Sequence, residues 1–346
     1  MLHHLFAFSL SLLCAVLLVA CGSGDAPAST EPASAGSQSL APDTPAVART
    51  AAFDALELPE SALAPPADST MRRFKRAMRL GQRMNVDDRP VGAIMQALGL
   101  TFSRAPYLEG TLDAPPTEEL VVRFDGFDCV TYVETLLAMA RGLKQQDTTY
   151  AGFARRLAEI RYRAGQPLGY CSRLHYFSDW IRDNNRVRFV EDVTPRFGSR
   201  SFRDTINFMS THRNAYSRFA TNDSLLACVQ DMEQDLASAA DDRPLRYVPQ
   251  DSIRSVYPHL EAGDVIGIVS SVDGLDIAHT GLAYLPNPGT PPDTLPERVG
   301  LLHASLSGGV VVSPDLQRYV QQIGHMIGIV VARPQPVDAR TPEASL

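Results

Sequence analysis

The chain has 346 residues, 45% of them hydrophobic, which is enough for one large domain or two small ones. Its formal net charge is only −7, so we expect no nucleic-acid partner, because such partners require a strongly basic surface. Length and charge exclude little else, and the function therefore has to be inferred from particular residues and motifs.

An apolar run over residues 5–20 is followed by Cys21 and Gly22, a pattern typical of a secretion signal. The run is too short, and too closely followed by small residues, to cross a membrane comfortably. Its end resembles the lipobox of bacterial lipoproteins. This resemblance implies a signal peptide over residues 1–20, cleavage before Cys21, and a lipid anchor on the Cys21 sulfur.

Such an anchor would hold the protein outside the cytoplasm, and Gly22 rather than Asp after the anchor favours the outer membrane by the same resemblance. An ordinary signal peptide cut nearby is the alternative. The segment before the apolar run contains His3 and His4 but neither Lys nor Arg, which leaves the true start codon open.

Residues 21–68 are rich in Ala, Ser, Pro, Gly and Asp, so we predict a flexible tether there. The folded domain is predicted over residues 69–334, with a loose tail over 335–346. Helical spacing of apolar residues predicts helices over residues 71–84, 90–100, 150–162, 174–184 and 223–240. Residues 106–112 and 120–124 are predicted to form an extended segment and a strand.

Cys129 follows Gly126 and Asp128 and begins a run of apolar residues with helical spacing. A thiol at a helix N-terminus lies at the positive end of the helix dipole, near unpaired backbone N–H groups. Both effects are expected to lower its pKa and favour the nucleophilic thiolate. The alternative is a buried, inert cysteine on the apolar face of the helix.

Two other cysteines, Cys171 and Cys228, remain once the signal peptide and the anchor are set aside. An odd number of cysteines in an oxidising compartment indicates one free thiol. If Cys129 is that thiol, the other two can pair, but the sequence does not give the distance between them. The disulfide therefore stays open at this point.

The last third of the chain contains five short β-rich runs separated by Gly and Pro, at residues 264–269, 280–284, 299–304, 309–312 and 327–332. Helices followed by a meander of strands predict an α+β domain with a mostly antiparallel sheet. His279 lies at the start of one run, and His303 lies 24 residues further on in the next.

Neighbouring antiparallel strands would place His279 and His303 side by side, with Gly281 allowing another backbone to come close. A histidine beside a thiol takes its proton, and a third polar group on the other ring nitrogen fixes the tautomer. Cys129, His279 and His303 therefore form a candidate catalytic triad.

Four separated blocks, between about residues 70 and 333, resemble a bacterial family of N-acetylmuramoyl-L-alanine amidase-like proteins. They are Phe127–Glu134, Arg173–Trp180, Gly263–Ile266 with Asp276–Gly281, and Leu302–Ser305. That family is grouped with NlpC-type cell-wall cysteine hydrolases. The resemblance implies a papain-like, NlpC-like α+β fold, with the nucleophile at a helix N-terminus. It also implies cleavage of amide bonds in peptidoglycan or muropeptides, without a metal or cofactor.

The resemblance assigns Cys129 as nucleophile, His279 as general base and His303 as the residue that orients it. It also places an acidic residue at the position of Asp128, beside the nucleophile. Tyr107 matches a block near the site, where a phenol could hydrogen-bond the substrate or the oxyanion. A plain packing role for Tyr107 is the alternative.

Three further residues are candidates for substrate binding. Arg173 and His175 could bind a carboxylate of the stem peptide, although a structural ion pair and hydrogen bond are equally compatible with the sequence. Asp276 could contact substrate or be only a turn residue.

By resemblance, the bond cleaved joins N-acetylmuramic acid to L-Ala at the start of the stem peptide. The alternatives are an endopeptidase cutting within the stem, such as at the D-Glu to diamino acid bond, and a non-catalytic lipoprotein that binds cell wall. Cys129, Asp276, His279 and His303 are also zinc-ligand types, but they lack the tight spacing of common zinc motifs.

Overall fold

A computed structural model describes residues 58–66, 69–197, 200–202, 205–242, 244–286 and 298–337. The predicted signal peptide, the anchor Cys21 and most of the predicted tether lie outside these residues. The helices in the described part are α1 Glu60–Leu63, α2 Ser69–Gln82, α3 Val91–Leu100, α4 Cys129–Lys144, α5 Tyr150–Arg161, α6 Phe177–Arg186, α7 Phe208–Thr211, α8 Asp223–Asp242 and α9 Leu316–Gln321.

The strands in the same residues are β1 Val190–Asp192, β2 Arg200–Ser201, β3 Arg246–Pro249, β4 Val265–Ser270, β5 Ile277–Tyr284, β6 Gly300–Ser305, β7 Gly309–Ser313 and β8 Met326–Pro334. They form one sheet in the order β2-β3-β8-β4-β5-β6-β7, and β1 also pairs with β8. Every pairing is antiparallel. The α+β class with an antiparallel sheet is therefore confirmed.

The sheet lies between two apolar clusters because its side chains alternate between its faces. Leu282 and Leu302, which are register partners, belong to the larger cluster, which includes α3, α4 and α5. Their neighbours Ala283 and Leu301 belong to a second cluster, which is formed with α9 and the 3₁₀ segment Gln250–His259. One helix layer therefore packs on each face of the sheet.

Helix α4 is the central helix of the larger cluster, and all of its residues from Thr131 to Leu143 are buried. It contacts α3 and α5 on its sides and β5 and β6 at the sheet. A helix surrounded in this way must present apolar side chains on every face, which explains its long apolar run. Its N-terminus is consequently held against the start of β5.

The predicted strand over residues 120–124 is wrong, because this segment has no ladder partner. Its backbone carbonyls are satisfied by side chains instead. Arg161 donates to the carbonyl of Val121 at 2.6 Å, and Arg73 donates to that of Phe124 at 3.3 Å. Short strands β1, β2 and β3 were not predicted, and α6 begins three residues later than expected.

The short helix α1 lies within the segment assigned to the tether. Leu58, just before it, is buried and packs against Ala154, Ala158 and Tyr162. This part of the predicted tether therefore contacts α5 and the residue that follows it. Among the described residues, none of the helices has the length and apolar character needed to cross a membrane.

Cys171 and Cys228 form a disulfide with their Cα atoms 6.2 Å apart, which answers the question that the sequence left open. The bond joins the 3₁₀ turn Tyr170–Ser172 to helix α8. Cys129 is the free cysteine of the described residues.

Candidate active site

Asp128 caps the helix that begins at Cys129. Its Oδ1 accepts from the Thr131 N–H at 2.7 Å, while the Thr131 hydroxyl accepts from the Asp128 N–H at 3.0 Å. This reciprocal capping box fixes where α4 begins. The side chain of Asp128, a predicted substrate contact, is thus engaged with its own helix.

The thiol of Cys129 lies in a setting that opposes ionisation. Burial, and secondarily the charge of Asp128, raises its pKa to about 12. The backbone N–H groups of Thr280, Cys129 and Val130 act in the opposite direction but are outweighed. The expectation of a lowered pKa is therefore wrong for this site, because desolvation and a neighbouring carboxylate exceed the effect of the helix terminus.

The two predicted histidines are in direct contact. Nε2 of His279 lies 2.7 Å from Nδ1 of His303, and Nε2 of His303 lies 3.0 Å from the hydroxyl of Ser313. Burial lowers the pKa of His279 to about 3, with His303 adding to the effect, and burial lowers that of His303 to about 4. Both rings are therefore neutral at pH 7.

Gly281 makes the histidine contact possible. A Cβ at this position would lie 2.8 Å from Cβ of His303 and 2.9 Å from the carbonyl oxygen of Leu302. His279 lies two residues before Gly281 on the same strand, so the two positions share a strand face. The close strand approach predicted from Gly281 is thus present in the structure.

Tyr319 of α9 packs against both imidazoles, with ring centroids 6.0 Å from His279 and 4.9 Å from His303. Burial, with a contribution from the charge of Cys129, raises its pKa to about 12. Neither Tyr319 nor Ser313 was predicted from the sequence to lie at the site. Neither is part of a recognisable motif, and both reach the histidines only through the packing of α9 and β7.

Tyr107 lies near Cys129, as the family resemblance implied. Its backbone forms an isolated parallel bridge with Phe127, two residues before Cys129. Burial raises the pKa of its phenol, and the charges of Cys129 and Asp128 add to the effect. The hydroxyl consequently keeps its proton and can donate a hydrogen bond.

A pocket of about 210 Å³ opens at Cys129 and His279. His175 and Asp276 also line it, with Asp113 and Tyr170 contributing to the wall. Cys129, His279 and two of the predicted neighbours, His175 and Asp276, therefore come together around a single concave surface, whereas Tyr107, Asp128, Arg173 and His303 do not line it. Its residues are Asp113, Cys129, Val130, Tyr170, His175, Tyr176, Phe177, Met209, Tyr216, Leu275, Asp276, Ile277, Ala278, His279 and Thr280.

Asp276 is 1% exposed, and its carboxylate is used structurally. Oδ2 accepts from the backbone N–H of Ser178 at 2.8 Å, in the first turn of α6, and Oδ1 accepts from that of Ile277 at 2.7 Å. The residue ties α6 to the start of β5. It thereby holds the strand that carries His279.

Arg173 and His175 are also engaged with protein groups. Arg173 is 5% exposed and forms ion pairs with Asp113 and, at 3.6 Å, with Glu118. Nε2 of His175 lies 2.8 Å from the carbonyl oxygen of Tyr170, and burial lowers the pKa of this histidine. A neutral His175 and a paired Arg173 do not offer the free positive charges that the sequence analysis expected for a carboxylate.

Within the described ranges, groups of three or more His, Cys, Asp or Glu side chains suited to a metal ion are absent. Three of the four zinc-ligand types considered in the sequence, Asp276, His279 and His303, are hydrogen-bonded to other protein groups, whereas Cys129 is free. Asp276 accepts hydrogen bonds from two backbone N–H groups, and one ring nitrogen of each histidine is hydrogen-bonded to the other histidine. Cys129 and His279 line one pocket as a thiol and an imidazole, the two groups that nucleophilic catalysis by a cysteine requires.

Comparison with protein families gives a match over residues 97–328 to the AmiA-like family, described as N-acetylmuramoyl-L-alanine amidase-like. A crystal structure of an N-acetylmuramoyl-L-alanine amidase from Bacteroides uniformis ATCC 8492 is 33% identical, with a TM-score of 0.63. The alignment covers 71% of this chain and 99% of that one.

A Bacteroides fragilis structure described as a candidate xylanase is 34% identical, with a TM-score of 0.60, and the alignment covers 68% of this chain and 98% of that one. A Legionella pneumophila protein, 20% identical with a TM-score of 0.55, shares the fold over 77% of this chain and 95% of its own. Comparison with curated proteins gives no match. The family match spans most of the chain, which belongs to the AmiA-like family of N-acetylmuramoyl-L-alanine amidase-like cell-wall hydrolases.

Proposed function

We propose that this protein is a cysteine amidase that cleaves the bond between N-acetylmuramic acid and L-Ala in peptidoglycan or its fragments. Cys129 is the nucleophile, His279 the general base and His303 the residue that orients His279. The observation that carries this proposal is the 2.7 Å contact between the two imidazoles in a chain whose free thiol shares a pocket with His279.

The hydrogen-bond chain supports an assignment of the nitrogen that acts as the base. When Nε2–H of His279 donates to Nδ1 of His303, and Nε2–H of His303 donates to Ser313, Nδ1 of His279 keeps its lone pair. That nitrogen takes the proton of the Cys129 thiol as the sulfur attacks the amide carbon. The thiol reacts from its neutral form, since its pKa is about 12 before substrate arrives.

The oxyanion then requires donors beside the sulfur. The backbone N–H groups of Cys129 and Val130, at the start of α4, face the Cys129 sulfur, while that of Thr131 donates to Asp128. The protonated hydroxyl of Tyr107 is a further donor. Nδ1–H of His279 protonates the leaving amine, and water activated by the same nitrogen hydrolyses the thioester.

The choice of bond is supported by the family description and by the name of the Bacteroides uniformis relative. An endopeptidase acting within the stem peptide, for example at the D-Glu to diamino acid bond, uses the same three side chains and is the alternative. A cell-wall-binding lipoprotein without catalysis is a second alternative, which the intact Cys-His-His set disfavours.

The xylanase description of the second relative is less compatible with this pocket. Glycoside hydrolysis needs two carboxyl groups flanking the scissile bond. The two carboxylates lining the pocket are Asp113 and Asp276. One is paired with Arg173 and the other is buried beneath two backbone N–H groups. Amide cleavage is the chemistry that the side chains around Cys129 support.

We further propose that the domain is a papain-like, NlpC-type hydrolase, since its nucleophile begins a helix that packs on an antiparallel sheet carrying both histidines. The family indicates an envelope or extracellular location. The lipobox-like sequence around Cys21 extends this to a lipid-anchored, outer-membrane protein in which the residues between Cys21 and Leu58 act as the tether, since Leu58 and α1 pack on the domain.

The test uses purified residues 22–346, defined muropeptides and mass spectrometry of the products. Wild type should release intact stem peptide from the sugar, Cys129→Ala should release none, and a chelator should have no effect. Fragments cut within the stem would assign the endopeptidase activity instead. Binding without cleavage by wild type would support the cell-wall-binding lipoprotein and reject the enzyme.

A further inference from the structure

A second cleft, of about 360 Å³, is lined by Tyr319, whose ring packs against His303. Three arginines line it, Arg254, Arg298 and Arg318, together with the hydroxyls of Ser313 and Tyr319. We refer to it as the arginine cleft. It is positively charged although the whole chain carries a net charge of −7.

The one acidic residue of its lining, Asp315, is already neutralised. Oδ2 accepts from Arg254 at 2.7 Å, and Oδ1 accepts from the Tyr257 hydroxyl at 3.1 Å and from the Arg318 backbone N–H at 2.9 Å. Within the part of the chain that the structure describes, the guanidinium groups of Arg298 and Arg318 have no carboxylate partner at ion-pair distance, and Arg298 acts on Asp315 only through its charge, which helps to lower the pKa of that carboxyl. These two charges are therefore available to a ligand.

The arginine cleft adjoins the reacting groups through two shared side chains. Ser313 lines the cleft and is 3.0 Å from Nε2 of His303, and Tyr319 lines the cleft and packs against both imidazoles. The cleft and the pocket at Cys129 have no lining residue in common, so a substrate that occupies both must extend from Cys129 past the histidines. Guanidinium groups bind carboxylates with paired N–H donors, which suits an acidic peptide substrate.

We propose that the arginine cleft is a substrate subsite in which Arg298 and Arg318 bind a carboxylate of the molecule whose amide is cleaved at Cys129. This inference rests on the proposed function. It names two specificity residues outside the catalytic pocket and makes the enzyme selective for substrates with a free carboxylate. Amidation of that carboxylate removes the charge and weakens binding.

The test compares wild type, the double variant Arg298→Gln/Arg318→Gln and the control Arg155→Gln. Arg155 is an exposed arginine on α5 that lines neither pocket. Two muropeptides are used that differ only in whether one stem carboxylate is free or amidated. For the free acid, we expect the double variant to raise KM about tenfold with kcat within about twofold, because charged hydrogen bonds from two exposed side chains are lost.

The amidated muropeptide should have the same KM with wild type and the double variant, and Arg155→Gln should behave as wild type with both substrates. Equal KM values for the free acid with wild type and the double variant would overturn the subsite while leaving the proposed function intact. Thermal melting checks folding, which we expect to be unaffected because both arginines are exposed.

If wild type cleaves neither muropeptide, the proposed function fails and the subsite is tested by calorimetric binding of the same pair to the same proteins. About tenfold weaker binding of the free acid by the double variant would still support the arginine cleft, and equal binding would reject it. Inorganic phosphate is tested as a competitor in the same binding experiment. Competition by millimolar phosphate, with no preference for the free acid, would identify a phosphate ligand and overturn the carboxylate assignment.

Discussion

Burial decides the protonation of the three central side chains. It raises the pKa of Cys129 and lowers those of His279 and His303, so each is neutral when no substrate is bound. In the mechanism proposed above, a neutral thiol and a neutral imidazole that line one pocket react by concerted proton removal rather than from a stable thiolate–imidazolium pair. The burial that disfavours ionisation of the Cys129 thiol also keeps the His279 imidazole unprotonated in mildly acidic medium.

The first prediction concerns pH. A histidine whose pKa is lowered is protonated only as the pH falls through its folded value, about 3 for His279 and about 4 for His303. We expect kcat/KM to stay level from pH 8 to about 5 and to fall below that, unlike an ordinary histidine with pKa ~6.5. A pH profile of cleavage checks this, and an acid midpoint near 6.5 would contradict it.

The second prediction concerns Ser313, whose hydroxyl is hydrogen-bonded to His303. Ser313 therefore acts on the reaction through His303 and is a positioning residue. Loss of one neutral hydrogen bond costs about 0.5–1.5 kcal/mol, so Ser313→Ala should lower kcat roughly three- to tenfold with KM within twofold. Ser313→Thr should restore most of the rate because it keeps the hydroxyl.

The matched control is Ser307→Ala, because Ser307 is exposed at the β6–β7 hairpin and bonds only locally to Ser305. Steady-state kinetics with muropeptides separate kcat from KM. A full rate in Ser313→Ala, or equal losses in both variants, would remove Ser313 from the relay.

At the scale of single elements, the start of α4 has two opposing requirements. The capping box needs the oxygen of Asp128, which stabilises the helix that carries Cys129. The charge on that oxygen raises the pKa of Cys129. Helix stability and thiol ionisation are therefore coupled through one side chain, and a substitution that keeps the oxygen but removes the charge separates them.

The third prediction uses that substitution. Asp128→Asn keeps an oxygen for the Thr131 N–H and should leave stability nearly unchanged, whereas Asp128→Ala should cost about 1 kcal/mol of unfolding free energy. Both should lower the pKa of Cys129 and hasten its alkylation by iodoacetamide near pH 9. Urea unfolding and alkylation rates measure these effects, and unchanged alkylation in both variants would show that the carboxylate does not control the thiol.

At the scale of the whole molecule, the disulfide connects the catalytic pocket to a distant helix. Cys171 and Cys228 are separated by 57 residues, and the turn that contains Cys171 also carries Tyr170 of the pocket wall. A cross-link over a loop of this length restricts the unfolded chain strongly. Its contribution should therefore be mainly to stability, with a local effect on the pocket.

The fourth prediction follows from loop length. In the background Cys129→Ala, replacing Cys171 and Cys228 by Ser should reduce the free energy of unfolding by about 4 kcal/mol, from the loop-entropy relation. Urea denaturation gives the change, with Cys129→Ala alone as the reference. An unchanged midpoint would mean that the bond adds nothing to global stability.

Local patterns predicted much of this architecture. Helical spacing located α2, α3, α5 and α8 within a few residues, and the β-rich runs correspond to strands β4–β8, because both signals depend on neighbours within a few positions of the chain. The segment over residues 120–124 had strand composition but found side-chain donors instead of a strand partner. Composition does not show whether an edge is available to pair with.

The sequence by itself determined the α+β class, the helix that begins at Cys129 and the two histidines of adjoining strands, since each follows from local periodicity and a short motif. The tertiary structure alone decided the direction of the Cys129 pKa, the engagement of Arg173 and Asp276 by protein groups, and the disulfide. It also brought in Tyr319 and the arginine cleft. These features depend on burial and on distances between residues far apart in the chain, which no local pattern records.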